Sequence, residues 1–127
     1  MTMSSNLANK LANATLRNTA YTSPASVYAS LYSTAPTATT SGTELTGNGY
    51  SRQVTTFASP ANGISSSNVA VTFGPATGNA WPTVTAVGIT DASTAGNIMY
   101  FNTIAGRNIK VGDSLVFGTG NITITLT

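Results

Sequence analysis

Neither cysteine nor histidine occurs in the 127 residues. Without cysteine there are no disulfides and no thiolate metal sites. Without histidine the commonest general base and the commonest transition-metal ligand are missing, and a Ser-His-Asp triad cannot be assembled. Charge is nearly as scarce. Five Lys or Arg and three Asp or Glu make up 6% of the chain, against about a quarter in ordinary globular proteins. They are Lys10, Arg17, Glu44, Arg52, Asp91, Arg107, Lys110 and Asp113. Three carboxyls far apart in sequence do not supply the paired acids of a glycosidase. Neither the Asp91 nor the Asp113 turn offers the oxygen charge that a hard cation wants. The net charge is only +2 and its basic residues are scattered, so no phosphate-tracking stripe forms and no nucleic-acid partner is expected. No glycine turn is followed by the lysine and helix of a phosphate loop. No run of about 20 apolar residues exists, so no membrane-spanning helix is expected. The first residues lack the basic and apolar regions of a secretory signal, so synthesis in a cytosol is expected. These scarcities leave no catalytic residue, no metal ligand set and no cofactor site to nominate.

What is present is strand pattern. The stretch 81–101 holds the only tryptophan and reads as two strands joined by a polar loop. Val84, Ala86, Gly88 and Thr90 fall on one face, Thr83, Thr85, Val87 and Ile89 on the other. Residues 91–96 supply the turn, and Ile98 and Tyr100 then alternate with Met99 and Phe101. Apolar or small residues on both faces predict strands buried on both sides. Residues 26–32 alternate as well, Val27, Ala29 and Leu31 against Tyr28, Ser30 and Tyr32. Further strands are predicted over 50–57, 69–73 and 114–117, and over 122–127, whose strict alternation predicts pairing into a sheet. Between them, 33–43 and 59–67 read as connections, and Gly47-Asn48-Gly49 as a tight turn. Glu44 and Arg52 flank that turn and are placed to pair across it. Length gives one domain, and the succession of short strands predicts an all-β fold. The expected architecture is a single β-sandwich, jelly-roll-like or immunoglobulin-like, of about 7–8 strands.

The single helix candidate spans 4–16. Ser4 or Ser5 caps it, and Leu7, Leu11 and Ala14, extended by Leu16, make a narrow apolar stripe. About 12 residues of helix are marginal alone, so the stripe must dock, either on the chain's own β domain or on a neighbouring subunit. The chain thus divides into a helical arm over 1–20 and a β-sandwich over 21–127. Leu7, Leu11, Leu16, Tyr28 and Tyr32 are the candidate partner-interface residues, with intramolecular packing as the alternative for each. Trp81 is read as a core residue first, then as an interface or ligand-stacking residue.

The order of several stretches carries a resemblance: 44–53 with its Gly47-Asn48-Gly49 turn, 69–73, 81–91 followed by Gly96-Asn97, and 111–113 before a Thr-rich terminal strand. The opening 7–11, through Tyr21, Pro24 and 27–31, fits the same pattern. Together they resemble a family of small tailed-bacteriophage virion proteins, whose members are often labelled tail-fibre proteins. Comparable small β proteins serve as capsid decoration, or cement, proteins. The resemblance implies a virion part and transfers no catalytic residue. The chain is short for a shaft and lacks collagen-like or heptad repeats, so the expectation is a capsid cement protein. Such a protein sits on the capsid exterior, is assembled in the host cytoplasm, and stabilises the shell by binding only its assembled form. Its expected partners are the major capsid protein and its own copies, as a trimer, with no nucleic acid and no membrane. The alternatives are a tail fibre or tail-associated host-contact module, and a small carbohydrate-binding β-sandwich.

Overall fold

A computed structural model describes residues 1–126. In chain order its elements are β1 (Thr2–Met3), α1 (Ser5–Leu16), β2 (Val27–Thr34), β3 (Thr43–Glu44), β4 (Gln53–Thr55), β5 (Ile64–Ser66), β6 (Val71–Phe73), β7 (Val84–Thr90), β8 (Ile98–Arg107), β9 (Leu115–Phe117) and β10 (Thr123–Thr125). The fold is all-β and sandwich-like, with one short helix. A six-stranded antiparallel sheet runs β1-β8-β7-β2-β3, and β4 also pairs with β2. Two ribbons, β5–β10 and β6–β9, complete the described strands.

The β7–β8 hairpin is the spine. Gly88 lies opposite Phe101, and Ile89 opposite Tyr100; on the other side of β7, Gly88 lies opposite Ser30 and Val87 opposite Leu31. Both faces of β7 are buried, as its sequence predicts. Ala29, Leu31, Val87, Ile89 and Met99 share one core with Val71, Phe73, Leu115 and Ile124 of the ribbons and with Ile122, just before β10. The opposite face is also dry, with Ala86, Tyr32 and Phe101 buried on it. Phe73, Leu31 and Ile89 have at most 1% exposure, and each such side chain contributes about 1.5–3 kcal/mol.

The helix forms where its pattern places it. Ser4 takes an extended conformation and its Oγ accepts the Leu7 N–H at 3.3 Å, satisfying one orphan donor of the first turn. Asn18, with φ at 52°, follows the last turn in the left-handed conformation usual at helix ends. The segment 1–20 is not set apart from the β domain. Thr2 and Met3 pair with Phe101 and Tyr100 of β8, and Leu7 belongs to the common core.

The other departures from expectation concern short strands. The segment 59–67, read as a connection, contains β5, which gives β10 its partner through Ile124 opposite Ser65. The predicted strand 50–57 contracts to Gln53–Thr55, because Tyr50 turns into the core and takes its neighbours out of the ladder. β2 runs on to Thr34 and β8 to Arg107. β6, β9 and β10 fall inside the predicted strands 69–73, 114–117 and 122–127, whereas β5, Ile-Ser-Ser, has no apolar alternation to declare it.

Candidate functional site

Two short strands, β3 and β4, share one edge of β2. Between them the chain leaves the sheet, and Leu31 would lose its strand partner there. Its carbonyl accepts from the Leu45 N–H at 3.0 Å, and its own N–H donates to Tyr50 Oη at 3.0 Å. Tyr50 Oη donates in turn to Glu44 Oε2 at 2.7 Å. Arg52 grips the same carboxylate twice, Nε to Oε2 and Nη2 to Oε1, both at 2.8 Å. Its remaining nitrogen, Nη1, reaches the β7–β8 loop and donates to the carbonyls of Ala92 and Ala95 at 2.8 and 2.7 Å. The pairing across the turn predicted from sequence is therefore real, and it reaches further than predicted: it fastens the tip of the central hairpin to the edge of β2.

This network is largely shielded, with Arg52 and Glu44 side chains 11% and 24% exposed. Burial pushes the Glu44 carboxyl up, but the bonds from Arg52 and Tyr50 outweigh it and hold the carboxyl below its ordinary range. The bond from Glu44 raises the Arg52 guanidinium further, against burial. Burial, reinforced by Glu44, pushes the Tyr50 phenol far above its ordinary range. A carboxylate so engaged is poised neither to take nor to give a proton near neutral pH. The arrangement is a clamp.

Tyr50 also stands in an aromatic column. It stacks on Phe73, with centroids 6.2 Å apart, and meets Trp81 edge-on at 5.9 Å. Phe73 meets Phe117 edge-on at 6.1 Å. Trp81 Nε1 donates to the Asn48 carbonyl at 2.8 Å, so the indole ties the Gly47–Gly49 turn to the core. At 5% exposure the ring offers no face on which a sugar can stack; Trp81 is a core residue.

The residues nominated from sequence as partner-facing scatter. Leu7 is buried in the chain's own core at 4% exposure, because Ser4 and β1 press the first helical turn against the sheet. Tyr32 is also internal, at 3%. Its ring lies over Gly88, with Cε2 only 2.9 Å from where a Cβ at position 88 would sit, and its Oη accepts from Ser30 Oγ at 3.0 Å. A glycine opposite is what lets that tyrosine lie down inside the sheet. Tyr28 and Leu11 are half-buried, and Leu16 is exposed.

Sequence reasoning missed an apolar groove of about 510 Å³, walled by Phe57, Pro60, Tyr100, Ile124 and Leu126. A second cleft of about 360 Å³, between Met1, Met3, Leu11 and Leu126, adjoins it through Leu126. The signal was in the terminal alternation. Ile122 is 2% exposed, Ile124 9% and Leu126 45%, so one apolar stripe leaves the core and continues onto the surface. Another cleft, of about 300 Å³, is lined mainly by polar residues, among them Ser4, Thr37, Thr40 and Asn97. Among the described residues no cluster of Asp and Glu could hold a metal ion, and no helix is long and apolar enough to cross a membrane.

A family model described as podophage GP4 fiber I protein gp80 matches residues 2–125. No curated protein matches the chain.

Proposed function

The chain belongs to the podophage GP4 fiber I protein gp80 family, and from that premise we propose that this phage virion structural protein is a tail-fibre component that works by packing against protein neighbours. The observation that carries the proposal is the extent of the match, which takes in the helix and all ten described strands under a fibre description. It also removes the ground for preferring capsid cement. Shortness and the lack of shaft repeats argue against a fibre only if fibres must be long, and here a fibre family covers a chain of this size.

The described surface suits such a role. Among the described residues the one ion pair is turned inward as a clamp, and an apolar groove lies on the outside. On this reading the chain turns over no substrate and takes neither nucleic acid nor membrane as its partner.

Copies per virion provide the test, counted by quantitative mass spectrometry against the major capsid protein and located by immunogold labelling. A small number of copies, labelled at the tail, is expected. Hundreds of copies spread over the head would overturn the fibre assignment in favour of capsid decoration.

A further inference from the structure

Two Asn-Gly pairs occur in the chain, Asn48–Gly49 and Asn62–Gly63. Each sits at the tip of a tight turn with both residues at positive φ, 52° and 85° in the first, 52° and 75° in the second, as Asn-Gly turns favour. Such a pair carries its own reagents. The glycine nitrogen is a nucleophile, the asparagine side-chain amide is an electrophile one five-membered ring away, and glycine puts no Cβ in the path. Whether they react depends on the freedom of the peptide plane between the two residues, because ring closure must swing it.

The fold treats the two planes differently. The Asn48 carbonyl accepts from the Thr77 N–H at 2.9 Å and from Trp81 Nε1 at 2.8 Å, and a Cβ on Gly49 would lie 2.6 Å from the Pro75 carbonyl oxygen. That plane is bolted to the core. Asn62 and Gly63 are both exposed. Ala61 and Ile64 close the turn around them with two reciprocal bonds of 3.0 Å. Neither the Asn62 carbonyl nor the Gly63 N–H has a partner among the described residues. The Gly63 carbonyl accepts from the Leu126 N–H at 2.7 Å, but it lies outside the ring to be formed. We propose that Asn62–Gly63 is a site of spontaneous covalent modification, in which the chain converts its own asparagine to aspartate and isoaspartate. The Gly63 nitrogen loses its proton to solvent and bonds to Asn62 Cγ. The side-chain nitrogen takes up a proton and leaves as ammonia, and a cyclic imide remains. Water then opens the imide. Breaking the new N–Cγ bond gives aspartate; breaking the original main-chain bond gives isoaspartate. Either product adds a negative charge beside the apolar groove that Gly63 helps to wall, and isoaspartate also lengthens the main chain at the turn. The proposal goes beyond the fibre reading and holds wherever in the virion the protein sits.

Incubation of the full chain in warm, mildly alkaline buffer made with heavy-oxygen water tests it, followed by peptide mapping that separates aspartate from isoaspartate. In the folded protein, position 62 is expected to take up heavy oxygen as both products. Position 48 should convert about thirtyfold more slowly, the factor that two ordinary hydrogen bonds to its carbonyl are worth. In urea above the unfolding midpoint the two positions should convert at similar rates, since both are then Asn-Gly in a free chain. Asn62→Gln should abolish the folded-state signal at that position. Hydrogen exchange on the separated isoaspartate form should show faster exchange at Ile64 and Leu126, whose amides bond to Ala61 and Gly63 across the turn. Folded protein that keeps Asn62 intact overturns the proposal. Equal conversion at 48 and 62 in the folded protein does so too, and so does a position 48 that stays slow in urea, because its protection would then not come from the fold.

Discussion

Glu44 receives three hydrogen bonds, two from Arg52 and one from Tyr50, and this sets how the fold responds to pH. Burial opposes ionisation, but those bonds prevail, so the native carboxyl titrates below its ordinary range. A lowered native pKa gives stability that is present above the unfolded-state value, about 4.3, and lost as pH falls through the native value. At the other end, Tyr32, Tyr50 and Tyr100 are raised, chiefly by burial. Neutral phenols therefore favour the fold up to about pH 10, and stability falls as pH rises beyond it. Thermal melts across pH are expected to show both limbs. Glu44→Gln should remove its share of the acid limb and cost about 2 kcal/mol at neutral pH, since Arg52 keeps its charge against a neutral acceptor. The estimate stays below that for a fully buried pair because water reaches Glu44. An acid limb identical in Glu44→Gln would show that the clamp does not govern acid stability. The Glu44–Arg52 pairing was legible in the sequence because the two residues flank one turn. The reach of Arg52 to Ala92 and Ala95 was not, since 40 and 43 positions separate them.

At the scale of elements, the N-terminal segment carries the sharpest consequence. As a free arm it could be removed with the fold intact. The structure pairs Thr2 and Met3 with β8 and sinks Leu7 into the common core. Burial of one leucine contributes about 1.5–3 kcal/mol, and the strand pairs and half-buried Leu11 add to it. Deleting residues 1–20 is therefore expected to cost about 3–5 kcal/mol, a large share of the margin of a domain this size. Urea midpoints would register the loss; an unchanged midpoint would restore the arm. The elements visible in the sequence were those whose pattern runs past the paired residues: the helix, β2, the β7–β8 hairpin, and β6, β9 and β10, which fall inside the predicted strands 69–73, 114–117 and 122–127. β1, β3 and β5 stayed hidden because their two or three residues carry no apolar alternation, and their pairing is supplied by partners distant in the chain.

For the whole molecule, the scarcity of charge has a physical signature. Few groups are available for salt to screen, so the fold itself should be nearly indifferent to ionic strength. Raising sodium chloride from low to high is expected to leave the thermal midpoint nearly unchanged, and a kosmotrope such as sulfate to raise it. A steep loss of stability with sodium chloride, followed by thermal melts, would show that exposed ionic contacts hold the fold together. The same scarcity fits a part that spends its life against other protein in a virion.

The sequence by itself determined the class of the fold, the central hairpin, the capped helix and the poverty of chemistry, because these follow from composition and from patterns within a few residues. It also carried the order of turns and strands on which the virion resemblance rests. Only the tertiary structure decided that Tyr32 lies inward over Gly88, that Arg52 locks a distant loop, and that the stripe of Ile122, Ile124 and Leu126 emerges from the core beside Met3 and Leu11. Alternation fixes which side chains share a face of a strand; what covers that face is contributed by residues far away in the chain, and packing alone brings them there.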